Sequence, residues 1–136
     1  MIEKRAAVLI VDDDEATLRA LRGFLEVEGY AVETARDGQE AFEKLDAMEP
    51  PGLILLDLKM PVMDGWQFLS ERSRDRTSRK VPVVLLSGLP YIPNAPGVAD
   101  FISKPVNPVR LLACVRRFCG PEREVGDSAR RTEPRP

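Results

Sequence analysis

The chain of 136 residues contains no histidine, and its cysteines number two. Zinc centres draw on cysteine and histidine ligands, so a structural or catalytic zinc site is disfavoured. Cys114 and Cys119 fall on one predicted helix at positions that face different directions, and they read as reduced, semi-buried thiols. No apolar run approaches the ~20 residues that span a bilayer. Residues 1–11 form a charged lead into a strand and lack a signal-peptide pattern. The net charge of −2 offers no general affinity for nucleic acid. These absences point to a cytoplasmic protein with neither membrane nor direct DNA contact. What is present is an ordinary globular balance, 43% hydrophobic and 31% charged, at a length that suits one domain.

Strand and helix patterns alternate along that domain. Residues 7–11 are a continuous apolar strand, and Leu18, Leu21 and Leu25 recur at helical spacing over 15–28 before Gly29. A short strand runs from Tyr30 to Ala35. A helix over Gly38–Met48 places Ala41, Leu45 and Met48 on one face, and Pro50-Pro51-Gly52 then forces a turn. Strands follow at 53–57, 81–86 and 101–103, with a helix from Gly65 to about Arg74 between the first two. Asn107 caps a last helix that has Pro108 at its first position and runs to about Cys119. Continuous apolar strands separated by helices indicate a doubly wound, five-stranded parallel α/β sheet covered on both faces. The pattern alone leaves the strand order open.

Two segments depart from the alternation. A helix between the fourth and fifth strands is expected, yet residues 88–99 carry Pro90, Pro93, Pro96 and Gly97. Prolines at that density remove backbone donors and restrict their predecessors, so residues 89–98 are predicted to form a loop or at most one helical turn. Residues 120–136 have almost no apolar side chains and are predicted to be a disordered tail beyond a folded domain of residues 6–119.

Four strand ends carry polar groups that suit one chemistry. Val8-Leu9-Ile10-Val11 runs into Asp12-Asp13-Asp14, Leu53-Ile54-Leu55-Leu56 into Asp57, and Val83-Val84-Leu85-Leu86 into Ser87; Lys104-Pro105 follows Phe101-Ile102-Ser103. Open α/β sheets bind ligands at the carboxyl ends of their strands. A carboxylate there can act as a nucleophile toward phosphorus. Phosphoryl transfer then needs positioning and charge neutralisation more than covalent help. Magnesium takes oxygen ligands, commonly one or two carboxylates with water and phosphate. Asp12, Asp13 and Asp57 could supply the carboxylates, and Lys104 and Ser87 could hold phosphoryl oxygens. Taken singly, each residue has a plainer use. The aspartate triplet can cap a helix and complement its dipole, with Asp14 as the cap. Asp57 can bind loop amides, Ser87 can serve a turn, and Lys104 can be solvated.

Taken together, these segments resemble a receiver domain of two-component response regulators over about residues 6–119. The matching text is Val8-Leu9-Ile10-Val11-Asp12-Asp13-Asp14, Leu55-Leu56-Asp57-Leu58-Lys59-Met60-Pro61-Val62-Met63-Asp64-Gly65, Leu86-Ser87-Gly88 and Lys104-Pro105. The resemblance implies a flavodoxin-like sheet of order 2-1-3-4-5. It also implies that Asp57 accepts a phosphoryl group from the phosphohistidine of a histidine kinase or phosphotransfer protein. By the same resemblance, Asp12, Asp13, Asp57 and the Lys59 backbone carbonyl bind Mg2+, and Ser87 and Phe101 are the switch pair. Lys104 matches the family lysine and precedes a cis proline. Chemistry is expected only on the protein's own Asp57, and the output is contact with a downstream protein target.

Other classes fit less well. Phosphatases of the haloacid dehalogenase type carry an aspartate two residues after the nucleophile, where this chain has Lys59. Flavin-binding flavodoxins have a phosphate loop rich in hydroxyl and amide donors, where this chain has Asp12-Asp13-Asp14. A receiver-like interaction module that is not regulated by phosphorylation is the remaining alternative, favoured only by the proline-rich crossover. No effector domain follows Cys119, so a stand-alone receiver or an excised one is expected. The arginines Arg110, Arg116 and Arg117 on the last helix read as a solvated face or a contact for an acidic partner.

Overall fold

A computed structural model of the chain describes residues 6–58, 65–72, 80–88 and 97–120. Five strands, β1 (Val8–Val11), β2 (Val32–Ala35), β3 (Leu53–Asp57), β4 (Val83–Ser87) and β5 (Val98–Ser103), form one sheet of order β2-β1-β3-β4-β5 with every pairing parallel. Four helices are described: α1 (Glu15–Val27), α2 (Gly38–Ala47), α3 (Gly65–Arg72) and α4 (Pro108–Cys119). This is the doubly wound sheet expected from the sequence pattern, in the strand order that the family resemblance implies.

The period of two along each strand divides the core into two layers. Val8, Ile10, Leu53, Leu55, Val84 and Leu86 face one way and pack with Leu18, Leu21 and Leu25 of α1 and Leu111 and Val115 of α4. Leu9, Val11, Ile54, Leu56, Val83 and Leu85 face the other way and pack with Ala41 and Leu45 of α2 and Phe68 and Leu69 of α3. The central strands β1, β3 and β4 are buried along their whole length. That is why they read as unbroken apolar runs. Edge strand β5 buries only Ile102 among its residues, so its start at Val98 has no apolar signature.

Local chemistry sets the helix boundaries. Asp14 caps α1 by accepting from the Ala16 amide at 3.2 Å and the Thr17 hydroxyl at 2.7 Å. The Thr17 hydroxyl, aided by the Ala16 amide, holds the Asp14 carboxyl below its ordinary pKa. Gly29, with φ 95°, turns the chain out of the helix. Asp37 caps α2 through the Glu40 amide at 2.8 Å, and Glu40 returns to accept from the Arg36 amide at 2.6 Å. Met48, expected on the buried face of α2, is instead its half-buried C-cap, because the extended backbone there ends the helix. Asn107 caps α4 through the Val109 and Arg110 amides at 2.8 and 3.1 Å, with Pro108 at the first turn.

Both cysteines are free, and both are buried in the same layer rather than semi-buried as expected. Cys119 joins the layer because the end of α4 abuts Gly52, where a Cβ would lie 2.9 Å from Sγ and 2.7 Å from the Ala6 Cβ. The Tyr30 hydroxyl donates to the Gly120 carbonyl at 2.6 Å and ties this end of α4 to the approach of β2. Burial raises the Cys114 thiol pKa above its ordinary value. Of the crossover predicted as a loop, Val98 already belongs to β5, and residues 89–96 lie outside the described residues, as does the predicted tail from residue 121. No helix among the described residues is long and apolar enough to cross a membrane.

Candidate functional site at the carboxyl edge of the sheet

Strand register brings the polar strand ends together. Val11 pairs with Leu56, Asp57 with Leu86, and Ser87 with Ser103. In-register parallel strands end at one edge, so Asp12, Asp57, Ser87 and Lys104 all arrive there. The Lys104 amide donates to the Ser87 carbonyl at 2.8 Å, and the Lys104–Pro105 peptide is cis, as expected from the resemblance.

The side chains converge. Lys104 Nζ lies 3.2 Å from Asp12 Oδ2 and 3.4 Å from Asp57 Oδ1. The second Asp12 oxygen, Oδ1, accepts from the Asp14 amide at 2.9 Å. Asp12, Asp57 and Ser87 are buried, at 1%, 7% and 4% exposure, although polar groups resist burial without partners. Burial pushes the Lys104 ammonium pKa down, but the charges of Asp12 and Asp57 outweigh it and leave the pKa above the ordinary lysine value.

Asp13 is exposed, yet it completes a cluster in which ligand oxygens of Asp12, Asp13 and Asp57 all lie within 4.8 Å of one another. Among the described residues, the cluster thus holds three carboxylates, two of them paired with the Lys104 ammonium. An all-oxygen set with excess negative charge is the donor chemistry of a hard divalent cation, so these residues fit Mg2+. Lys59, expected to contribute its carbonyl, lies outside the described residues.

Phe101 does not sit in the core. Its side chain is directed outward from edge strand β5 at 40% exposure. Around it is a cluster the sequence did not reveal. The Phe101 amide donates to Asp100 Oδ1 at 2.8 Å, and Arg110 Nη2 of α4 donates to the Phe101 carbonyl at 2.7 Å and lies 3.2 Å from Asp100 Oδ1. Burial raises the Asp100 carboxyl, but the Phe101 amide and Arg110 outweigh it and hold its pKa below the ordinary value. Arg110 is thus an intramolecular partner of β5 while it, Arg116 and Arg117 all remain exposed, as expected of a solvated face, and the Arg117 guanidinium sits over the Phe118 ring at 4.8 Å from its centroid. The signal missed was the pairing of Asp100 with Arg110 across a strand-to-helix turn.

A parallel sheet of order 2-1-3-4-5, with an acidic cluster and a lysine at its carboxyl edge, defines a receiver-type α/β domain. The family model described as response regulator receiver domain matches residues 8–116, and the chain belongs to that family. Response regulator PleD of Caulobacter vibrioides (strain NA1000 / CB15N) is 40% identical over 116 residues, which cover 82% of this chain and 25% of PleD. The chain spans about half the length of several other curated relatives. Among solved structures, Vibrio cholerae chemotaxis response regulator CheY4 is similar at TM-score 0.76 and 31% identity, covering 85% of this chain and 99% of CheY4. The receiver domain of a signal transduction histidine kinase from Syntrophus aciditrophicus is similar at TM-score 0.74 and 34% identity, with coverage of 83% and 89%.

Proposed function

We propose that residues 6–119 act as one phosphoacceptor domain in a two-component phosphorelay, with Asp57 as the acceptor. The observation that carries this reading is the convergence of Asp12, Asp57 and Lys104 from three strand ends, with the ammonium 3.2 and 3.4 Å from the two carboxylates. An Asp57 carboxylate oxygen attacks the phosphorus of a phosphohistidine on a histidine kinase or phosphotransfer protein. The new O–P bond forms as the P–N bond breaks, and the electron pair leaves with the imidazole nitrogen. Lys104 pairs with one phosphoryl oxygen and Ser87 donates its hydroxyl to another. Asp12, Asp13 and Asp57 would hold Mg2+, with the Lys59 carbonyl, and the bound ion would neutralise charge on the phosphoryl oxygens.

The protein's only chemistry in this reading is on its own Asp57. Drawing Ser87 toward the phosphoryl group vacates space for the Phe101 ring, and the altered β4–β5 surface is read by a downstream protein target. Cytoplasmic location and the absence of direct DNA binding belong to the same proposal, and the net charge of −2 supports the second by giving no general attraction to nucleic acid. Intact mass after incubation with acetyl phosphate and magnesium tests it. A single phosphoryl adduct is expected that requires magnesium and is lost in Asp57→Asn. An adduct that survives that substitution would refute Asp57 as the acceptor. No adduct on the wild-type chain would favour an interaction module without phosphorylation.

A further inference from the structure

We propose that Arg110 and Asp100 form a latch that holds Phe101 in its outward position and so sets how readily the domain enters its switched state. Strand β5 is an edge, and an edge strand presents backbone groups with no neighbouring strand to pair them. At Phe101 both groups are held by side chains. Its amide donates to Asp100 Oδ1 at 2.8 Å and its carbonyl accepts from Arg110 Nη2 at 2.7 Å. The two side chains are themselves paired at 3.2 Å, which closes a ring around one peptide unit on each side of the residue. Among the described residues, the side-chain hydrogen bonds and ion pair of Asp100 and Arg110 are with each other and with Phe101, apart from the acidic cluster.

The latch rests on the reading of Phe101 as the switch aromatic, and it adds a device to that reading. The rotamers open to a side chain depend on the φ and ψ of its own residue, so a latch that fixes the amide and carbonyl of Phe101 biases the ring toward its outward position. A contact shifts a two-state equilibrium only by the difference in its strength between the states. Arg110 is therefore a positioning residue. It acts through Phe101, and its loss moves the population inward.

The test compares wild type, Arg110→Ala, Arg110→Lys and Asp100→Asn in two readouts. One is the rate of Asp57 phosphorylation by acetyl phosphate in magnesium. The other is the nuclear Overhauser contact between the Phe101 ring and Ser87 in the unphosphorylated protein. Arg110→Ala is expected to raise the phosphorylation rate about two- to fivefold, the scale of an exposed charged pair, and to strengthen the ring contact. Arg110→Lys should restore part of the wild-type behaviour, and Asp100→Asn should act in the same direction as Arg110→Ala. The effect on rate should vanish in a Phe101→Ala background. Unchanged rate and ring contact in Arg110→Ala would overturn the proposal, as would a rate change that persists undiminished without the ring. If wild type takes no phosphoryl group, the phosphoacceptor reading fails, and the ring contact alone then decides the latch.

Discussion

Replacing Asp13 by asparagine should stabilise the metal-free protein and abolish most of its stabilisation by magnesium. The ligand oxygens of Asp12, Asp13 and Asp57 lie within 4.8 Å of one another, and Lys104 is committed to Asp12 and Asp57. At that separation two like unit charges repel by about 0.9 kcal/mol in water and about 3.5 kcal/mol at an effective dielectric constant near 20. Asp13 is exposed, so the lower figure governs each of its two repulsions. Lys104 offsets part of the sum, which leaves a gain of about 1 kcal/mol on neutralisation, or roughly 3–6 °C in Tm for a domain of this size. Wild type should gain about 2.7 kcal/mol when magnesium is present at a hundred times its Kd, whereas the variant has lost one of the three carboxylates that would bind it. Urea unfolding followed by circular dichroism, in chelator and in saturating magnesium, measures both quantities. An Asp13→Asn variant less stable than wild type in chelator would refute the repulsion argument. One that keeps the full magnesium increment would remove Asp13 from the metal site.

Lys104→Met should cost about 2 kcal/mol at neutral pH in chelator, less than the loss of a fully buried pair because the lysine side chain is 30% exposed. Since the Lys104 pKa is raised on folding, its contribution is fully present below the unfolded value of 10.5 and fades as pH rises through the higher folded value. Wild type should therefore lose its advantage over Lys104→Met in alkaline urea titrations, and a difference that grows with alkaline pH would contradict that sign. Gly52→Ala should destabilise by about 1–3 kcal/mol through overpacking, because the new Cβ would meet Ala6 at 2.7 Å and Cys119 at 2.9 Å. Its thermal melt should fall while the phosphoryl adduct still forms, and an unchanged Tm would show that the α4 end yields freely.

Much of the architecture was written locally. Buried central strands need apolar side chains on both faces, so Val8–Val11, Leu53–Asp57 and Val83–Ser87 announced themselves as runs, and a parallel sheet with its ligand edge followed. Caps are satisfied within a few residues, and Asp14 and Asn107 marked their helices for that reason. The polar residues at the strand ends named the candidate chemistry, because in-register parallel strands must finish together.

Features joined through space were hidden. An edge strand such as β5 has one neighbour and little burial, so no apolar run marked its start at Val98. The outward Phe101 and the Arg110–Asp100 ring around it depend on how α4 returns across β5, and charged residues carry no periodic signal of their partner. Cys119 is buried because Gly52 admits the end of α4, a contact between segments far apart in the chain. The 3.2 and 3.4 Å approach of Lys104 to two carboxylates likewise needed the register of four strands and one turn. Residue type and short-range pattern suffice for elements and for the kind of chemistry, since both follow from local backbone and solvent preferences. Pairing distances, exposure and the choice of partner follow from packing, which the chain settles only when it closes on itself.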